Sequence, residues 1–155
     1  MDKDNTQKTS DGFLRLIEEK FETGDFDSNG YSALGLAYIG DAVYDMIVRT
    51  LVLGLGNGRV KNFHKITSSI VKAEAQAMMI REISGRLTEE EMAVYKRGRN
   101  AKSATSAKNA SIVDYRIATG FEALLGYLYL NEKLGRAMEL VKYGLEQTGQ
   151  MPKHL

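Results

Sequence analysis

The sequence predicts an all-α protein with a single main domain, and three observations support this. The chain has 155 residues, of which 43% are apolar and 26% charged, an ordinary composition for a globular domain. Its one proline is Pro152, so nothing earlier in the chain prevents helix formation. Apolar residues recur at helical spacing through most of the sequence, and glycine-containing turns separate these segments. We therefore expect a domain built almost entirely from helices.

The first half of the chain predicts three helical segments. Apolar residues between Phe13 and Phe21 give a short amphipathic helix. Residues 32–53 are long and apolar, with Ser32 placed to cap the N-terminus. Residues 60–84 are rich in alanine and methionine, which favour one helix or two.

The second half predicts three more helices and a polar loop. A capping-box pattern at residues 88–91 predicts a helix from there to about Lys96. Residues 98–110 are polar and basic without an apolar period, and we expect a loop. Residues 111–130 form a second long apolar segment, and residues 133–147 a final amphipathic helix.

Missing residue types exclude several classes of function. Without cysteine, the chain has no disulfide, zinc–thiolate site or cysteine nucleophile. Two histidines, His64 and His154, leave little material for a Ser-His-Asp triad or a histidine-based zinc site. The N-terminus lacks the apolar core of a secretory signal, and no window approaches about 18 uncharged apolar residues. We expect no membrane span.

The net charge of +1 conceals an uneven distribution. Residues 1–30 carry eight acids and four bases, whereas residues 96–116 carry six bases and one acid. A polyanion responds to such a local excess of positive charge rather than to the total. The residues in this stretch that could contact a phosphate backbone are Arg97, Arg99, Asn100, Lys102 and Lys108. A solvated surface loop is the alternative.

Two apolar segments carry isolated acids. In residues 33–48, Asp41 and Asp45 are four positions apart and share a helix face. In residues 117–130, Glu122 is the only charged residue. A carboxylate buried away from water needs a basic partner or a metal ion. If the two helices pack together, which the glycines beside both acids favour, Asp41 and Glu122 could share one Mg²⁺ or Mn²⁺.

A structural ion pair is the alternative explanation for these acids. Arg49 or Arg116 could supply the positive partner. Ion pairs of this kind are common, and the pattern alone does not decide between the two interpretations.

Three motifs in order resemble the ribonuclease III family. Residues 36–44 (LAYIGDAVY) resemble the signature helix of the family, and residues 121–130 (FEALLGYLYL) resemble its second catalytic helix. Together with residues 97–103 (RGRNAKS) and 115–122 (YRIATGFE), they are most similar to mini-ribonuclease III, the short bacterial branch without a double-stranded-RNA-binding domain. The resemblance covers about residues 31–148.

The resemblance implies an all-helical, cytoplasmic homodimer that cuts double-stranded RNA with Mg²⁺, or with Mn²⁺ as a substitute. The branch matures the ends of large-subunit (23S) ribosomal RNA, leaving a 5′-phosphate and a 3′-hydroxyl. Asp41 and Glu122 fall on catalytic residues that are metal ligands in the family. Precursor ribosomal RNA is the implied substrate, and a large-subunit ribosomal protein is a candidate partner.

The sequence departs from the larger family in its acidic residues. Positions where that family has two glutamates before the aspartate are Leu34 and Ala37, and Thr119 replaces an aspartate before the second glutamate. The mini branch lacks these acids too. Asp45 or Asp114 could compensate through water, and Asp45 is the better candidate because it lies one turn from Asp41.

We expect an N-terminal extension with a short helix (residues 1–30), a ribonuclease III-like catalytic domain (31–148) and a tail (149–155). The first ten residues are expected to be disordered, and the last six are candidates for disorder. The residues expected near a dimer two-fold axis are Leu34, Leu36, Tyr38 and Ile39.

Two other functions compete with the nuclease. One is a non-catalytic RNA-binding helical dimer associated with the ribosome, which the presence of both acids disfavours. The other is a helical protein-interaction domain, which predicts no salt-dependent RNA binding.

Overall fold

The computed structural model describes residues 12–102 and 111–155 of the chain. Within these ranges it contains two 3₁₀ turns, Ser28–Gly30 and Ser84–Arg86, and no β-strand. The α-helices of the described residues are α1 (Gly12–Phe21), α2 (Ala33–Leu53), α3 (Val60–Val71), α4 (Ala73–Ile83), α5 (Glu89–Asn100), α6 (Ile112–Leu130) and α7 (Leu134–Gln147). The predicted all-α fold class is confirmed, and residues 60–84 contain two helices. None of the helices in these ranges is long and apolar enough to cross a membrane.

Helix α2 begins and ends where the sequence predicts. The hydroxyl oxygen of Ser32 accepts a hydrogen bond from the amide of Gly35 at 3.0 Å, which caps the N-terminus. At the other end the amide of Gly54 donates to the carbonyl oxygen of Thr50 at 2.9 Å. The helix therefore stops at the glycine-containing turn that precedes α3.

Helix α6 runs through the centre of the core. Ser111 caps its N-terminus by accepting a hydrogen bond from the amide of Asp114 at 3.0 Å. Its sequence is apolar on nearly all sides, as expected for a helix that packs against α2, α4, α5 and α7. Core residues around it include Tyr44, Val48, Met79, Ile83, Phe121, Leu124, Leu125, Leu128, Leu140 and Leu145.

Glycines allow the backbones of α2 and α6 to touch. A Cβ atom at Gly40 would overlap the carbonyl oxygen of Glu122, and a Cβ atom at Gly126 would overlap the carbonyl oxygen of Leu36. Any larger residue at either glycine would push the two helices apart. The close approach expected from the glycines beside the acids is therefore present.

A second glycine contact joins α5 to α6. A Cβ atom at Gly98 would lie 2.7 Å from the Cβ atom of Ala123, and one at Gly120 would lie 2.7 Å from the carbonyl oxygen of Tyr95. The last turn of α5 is thus pressed against the part of α6 that carries Glu122.

Helix α5 is longer than the sequence predicts. The capping box at its start is present, but the helix continues to Asn100. Our expectation of a loop from residue 98 is therefore wrong for its first three residues. Packing of Gly98 on α6 stabilises this turn, and such a tertiary contact overrides the weak helical propensity of glycine. Residues 103–110 of the predicted loop lie outside the described residues.

Both ends of the described chain pack on the rest of the domain. Leu14 of α1 is buried, and Nε of Arg15 lies 2.7 Å from Oε1 of Glu132. At the other end Met151 packs against the core, and Nε2 of Gln150 donates to a carbonyl oxygen of α4 at 3.4 Å. Of the last six residues, considered as candidates for disorder, Gln150 and Met151 therefore pack on the domain, whereas residues 153–155 are exposed. The first ten lie outside the described residues, and the proposed domain boundaries remain a prediction.

Part of α2 is exposed although its sequence is apolar nearly all round. Tyr38 is 83% exposed and Met46 is 68% exposed, and Leu34 is partly exposed. Leu36 is fully buried, because its side of the helix faces α6. Leu36 therefore has no surface for contact with a second subunit, and the prediction that it lies at a dimer interface is wrong. For Leu34, Tyr38 and the half-buried Ile39, a place near the two-fold axis remains a prediction.

The glycine contact between α2 and α6 predicts the effect of adding one methyl group. We expect Gly40→Ala to lower the free energy of unfolding by about 3 kcal/mol or more, because the new Cβ meets rigid backbone. Gly135→Ala is the matched control. It lies in α7 with open space around its Cβ position, so the change should stabilise the protein by up to about 1 kcal/mol. Urea denaturation of both variants measures these effects, and equal stabilities would contradict the contact.

Candidate functional site

The crossing of α2 and α6 brings Asp41 and Glu122 together. Asp41 follows Gly40, which lies against the backbone of Glu122, and the two carboxyl groups interact with each other. Glu122 is half-buried, whereas Asp41 is exposed. The expectation of a buried acid on the first helix is therefore wrong for Asp41, because α2 is covered on only part of its surface.

Burial raises the pKa of the Glu122 carboxyl to about 8. The hydrogen bond that Nε2 of Gln76 donates to Oε2 of Glu122, at 3.0 Å, acts in the opposite direction by favouring the ionised form. The carboxyl of Asp41 raises the pKa of Glu122 again, through charge repulsion and a hydrogen bond between the two acids. The folded protein alone therefore stabilises the charge of Glu122 poorly.

Among the described residues, neither acid has the arginine partner that a structural ion pair requires. Nε of Arg49 lies 2.6 Å from Oδ2 of Asp45, one turn away from Asp41. Across residues 12–102 and 111–155, no lysine, arginine or histidine forms an ion pair with Asp41 or Glu122. The alternative with Arg49 or Arg116 as the partner has no support in that part of the chain.

The two acids considered as additional ligands have partners of their own. Asp45 binds Arg49, and the carboxylate of Asp114 lies 3.8 Å from Nη2 of Arg81. Asp114 stands in the first turn of α6, two turns before Glu122. Both acids are therefore engaged with arginines, and a role for Asp45 or Asp114 as an additional ligand remains a prediction.

Thr119, at the position where the larger family has an aspartate, is committed to its own helix. Its hydroxyl donates to the carbonyl oxygen of Tyr115 at 2.9 Å. In the part of the chain that the structure describes, no three acidic or histidine side chains form a cluster suited to a metal ion. The acidic centre in this region thus consists of Asp41 and Glu122.

Sequence reasoning missed Gln76, which lies at the N-terminal turn of α4. Its side chain is 1% exposed, and Nε2 bonds both Glu122 and, at 2.8 Å, the carbonyl oxygen of Val71. A buried glutamine in an alanine-rich helix was the available signal, but periodicity does not show which helix it would face.

Tyr44 supports the same crossing from the core. Its hydroxyl donates to the carbonyl oxygen of Ile70 at 3.2 Å, and its ring packs edge-on against Phe121, with the ring centroids 5.4 Å apart. These contacts connect α2 to α3 and α6 one turn from Asp41. The backbone that carries the two acids is therefore fixed by contacts on the side of the hydrophobic core.

The acidic pair fits a hard divalent cation. The two carboxylates repel each other and, among the described residues, have no basic side chain to offset that repulsion. A cation between them would remove the repulsion, and their oxygens are the ligand type that Mg²⁺ prefers. Mg²⁺ in proteins is commonly bound by one or two carboxylates and keeps several waters, so a pair is a sufficient donor set.

The predicted RNA-binding residues lie at the C-terminal end of α5. Arg97 and Arg99 flank Gly98, and the guanidinium of Arg99 lies over the ring of Tyr95, 5.6 Å from its centroid. Nε of Arg99 also donates to Oδ1 of Asn100 at 3.2 Å. Arg97, Asn100 and Lys102 are exposed. Lys108 lies outside the described residues.

Comparison with protein families gives a match to the Ribonuclease III domain over residues 34–133. The chain is 52% identical over 128 residues to a Mini-ribonuclease 3 of Clostridium tetani, covering 80% of this chain and 85% of that protein. It is 41% identical over 140 residues to a Mini-ribonuclease 3 of Thermoanaerobacter, covering 90% and 96% of the two chains.

A solved structure shows the same fold. A crystal structure of a Fusobacterium nucleatum protein superposes with a TM-score of 0.70 at 28% identity, covering 75% of this chain and 94% of that one. Residues 34–133, which match the Ribonuclease III domain, include both Asp41 and Glu122.

The raised pKa of Glu122 predicts how the free energy of unfolding of the protein changes with pH. Because folding raises the pKa of Glu122, the folded state binds more protons than the unfolded state, and stability decreases as pH rises from about 4.5 to about 8. Glu122→Gln removes this penalty. In EDTA the variant should match the wild type near pH 4.5 and exceed it by about 2 kcal/mol at pH 8, less than the full shift because Glu122 is partly exposed. Urea denaturation at both pH values measures the difference, and a difference independent of pH would contradict the assignment.

Proposed function

Since this chain belongs to the ribonuclease III family, in its mini-ribonuclease III branch, we propose that it matures the ends of 23S ribosomal RNA precursors in the cytoplasm, with Mg²⁺ held by Asp41 and Glu122. The chain is an endoribonuclease, and the family acts on double-stranded RNA. The proposed products carry a 5′-phosphate and a 3′-hydroxyl. A ribosomal-protein partner remains a prediction.

The observation that carries the proposal is the meeting, at one helix crossing, of two acids that have no ion-pair partner among the described residues. Asp41 and Glu122 come from segments 81 positions apart in the chain, yet backbone contact at Gly40 holds them together. Without a cation, burial and the neighbouring carboxyl of Asp41 make ionisation of Glu122 unfavourable, so the arrangement favours a function that uses both charges. Binding a divalent cation is a function that uses both charges.

The proposed reaction divides between the cation and the residues of the chain. A Mg²⁺ ion held by Asp41 and Glu122 would supply Lewis-acid chemistry, making a bound water more acidic and offsetting negative charge on the departing 3′ oxygen. Asp41 and Glu122 supply the negative charge that holds the cation, and the α2–α6 contact fixes their separation. The water oxygen forms a bond to phosphorus as the bond from phosphorus to the 3′ oxygen breaks. That water loses one proton to solvent, the 3′ oxygen takes up one proton from solvent, and the phosphate stays on the 5′ end.

The C-terminal turn of α5 is suited to hold the duplex. Gly98 packs against Gly120 and Ala123 of α6, the helix that carries Glu122; Arg97 and Arg99 flank this contact, and Lys102 follows the end of α5. Arginine and lysine side chains neutralise phosphates, and Asn100 can bond a 2′-hydroxyl of A-form RNA. We assign these four side chains to the RNA backbone, and the RNA-binding role of Lys108, which lies outside the described residues, remains a prediction.

A homodimer accounts for the exposed apolar face of α2. The family is typically dimeric, and Tyr38 and Met46 leave a substantial apolar surface in contact with water in the single chain. A two-fold axis near Leu34, Tyr38 and Ile39 would bury part of that surface. Two sites related by the axis would then cut the two strands of one duplex.

Removal of either negative charge should abolish cleavage. We expect Asp41→Asn and Glu122→Gln each to reduce the Mg²⁺-dependent cleavage rate at least about 100-fold, because a neutral amide holds a hard cation poorly. The assay uses a duplex carrying the paired ends of a 23S precursor, and a 5′-phosphate-dependent exonuclease identifies the product ends.

Asp45→Asn is the matched control, because it makes the same chemical change one turn away in a residue that binds Arg49. It should retain most of the activity, and all three variants should sediment like the wild type. Near-normal cleavage by Asp41→Asn, or loss of cleavage only in Asp45→Asn, would reject the assignment.

Neutralising Arg97, Arg99 and Lys102 together should weaken binding to all duplex sequences alike. Removing one basic side chain from a phosphate reduces the log–log salt dependence of affinity by about one, so the slope should fall by about two to three. Fluorescence anisotropy at several salt concentrations measures the slope, and saturating RNA should restore much of the rate.

A matched triple variant neutralises the exposed lysines Lys20, Lys133 and Lys142, which lie on other elements. It changes the net charge equally and should leave the slope close to that of the wild type. The same slope in both triple variants would show that the end of α5 is an ordinary solvated surface.

A further inference from the structure

Gln76 is a buried polar side chain that the proposed reaction does not yet use. It lies in α4, is 1% exposed, and its amide nitrogen donates to Oε2 of Glu122 at 3.0 Å. The same nitrogen donates to the carbonyl oxygen of Val71 at 2.8 Å. Val71 is the last residue of α3, so this second bond satisfies a carbonyl that the helix itself leaves free.

The two hydrogen bonds fix the orientation of the amide. Both partners of Nε2 are acceptors, a carboxylate and a backbone carbonyl, and an amide oxygen in that position would repel them. Both N–H groups of Gln76 are therefore used, and its amide nitrogen links Val71 of α3 to Glu122 of α6. Glu122 is held at one of its two oxygens by a donor that has no freedom to rotate.

The amide oxygen of Gln76 differs from its nitrogen in hydrogen bonding. Oε1 is buried and has no hydrogen-bond partner among the residues that the structure describes. A buried polar atom without a partner destabilises a protein by about 1–3 kcal/mol. A methionine or leucine would fill the same space without that penalty, so packing does not explain a glutamine at this position.

We propose that Gln76 is a positioning residue for Glu122: it orients the carboxylate toward the space shared with Asp41 and thereby tightens the binding of a divalent cation. The bond to Glu122 explains why an amide occupies a buried position whose other polar atom is unpaired. The inference rests on the proposed function in one respect, the assignment of the metal to Asp41 and Glu122. It requires no property of the RNA substrate.

The test is the affinity of the complete protein for Mn²⁺ alone, measured by isothermal titration calorimetry without RNA. Gln76→Met keeps the length and volume of the side chain but removes its donors. We expect the Kd for Mn²⁺ to rise about tenfold, the range seen when partners of metal ligands are removed. Cleavage should then need a correspondingly higher Mn²⁺ concentration and recover when the metal is saturating.

Gln150→Met is the matched control. Gln150 is half-buried and also donates to backbone, at Ala75 of the same helix, but it does not contact either acid. The Kd for Mn²⁺ should be unchanged in this variant. In a Glu122→Gln background, Gln76→Met should have no further effect on metal affinity, because the group that it positions is then absent.

NMR of the wild-type protein provides a measurement that does not depend on the variants folding. The side-chain NH₂ signals of Gln76 should shift during Mg²⁺ titration with the midpoint of metal binding. Signals that stay unmoved at saturating Mg²⁺, or equal Mn²⁺ affinities in the wild type and Gln76→Met, would overturn the role of Gln76. A wild type that binds no Mn²⁺ would overturn the metal assignment itself, and the role of Gln76 with it.

Discussion

Direct contact between the backbones of α2 and α6 is the constraint on which the rest of this structure depends. At Gly40 and Gly126 there is no space for a Cβ atom, so the helix axes lie closer than side-chain packing allows. Two acids that are far apart in sequence thereby come within reach of each other, and the core closes around the same crossing through Tyr44 and Phe121. The contact between α2 and α6 therefore determines both the packing of the core and the position of the two acids.

The site is a local conflict within a consistent fold. Most of the core obeys simple rules, with apolar residues buried and helix ends capped by Ser32, Thr88 and Ser111. At the crossing two carboxylates repel each other, and a glutamine beside them carries an unpaired oxygen. Departures from these rules lower stability, and they are expected at functional sites. In this chain both departures concern the same carboxylate, Glu122.

The sequence was informative wherever local rules decide the structure. Cap residues and glycine turns located the helices, because these signals act over a few residues. The end of α5 was wrong because Gly98 is held by α6, and Leu36 was misplaced because apolarity on all sides does not tell which face meets a neighbour. The motifs suggested that Asp41 and Glu122 meet, and the structure brings them together. The part played by Gln76 could not be predicted, since its contact with Glu122 spans 46 positions.

The two glycine contacts of α6 restrict how its length can change during evolution. Gly120 faces α5 and Gly126 faces α2, and their separation of six positions corresponds to a rotation of about 240° around the helix axis. Inserting or deleting one residue between them would turn one contact away by about 100°. Insertions and deletions among related proteins should therefore occur in turns outside residues 120–126. The number of residues from Gly120 to Gly126 should stay constant.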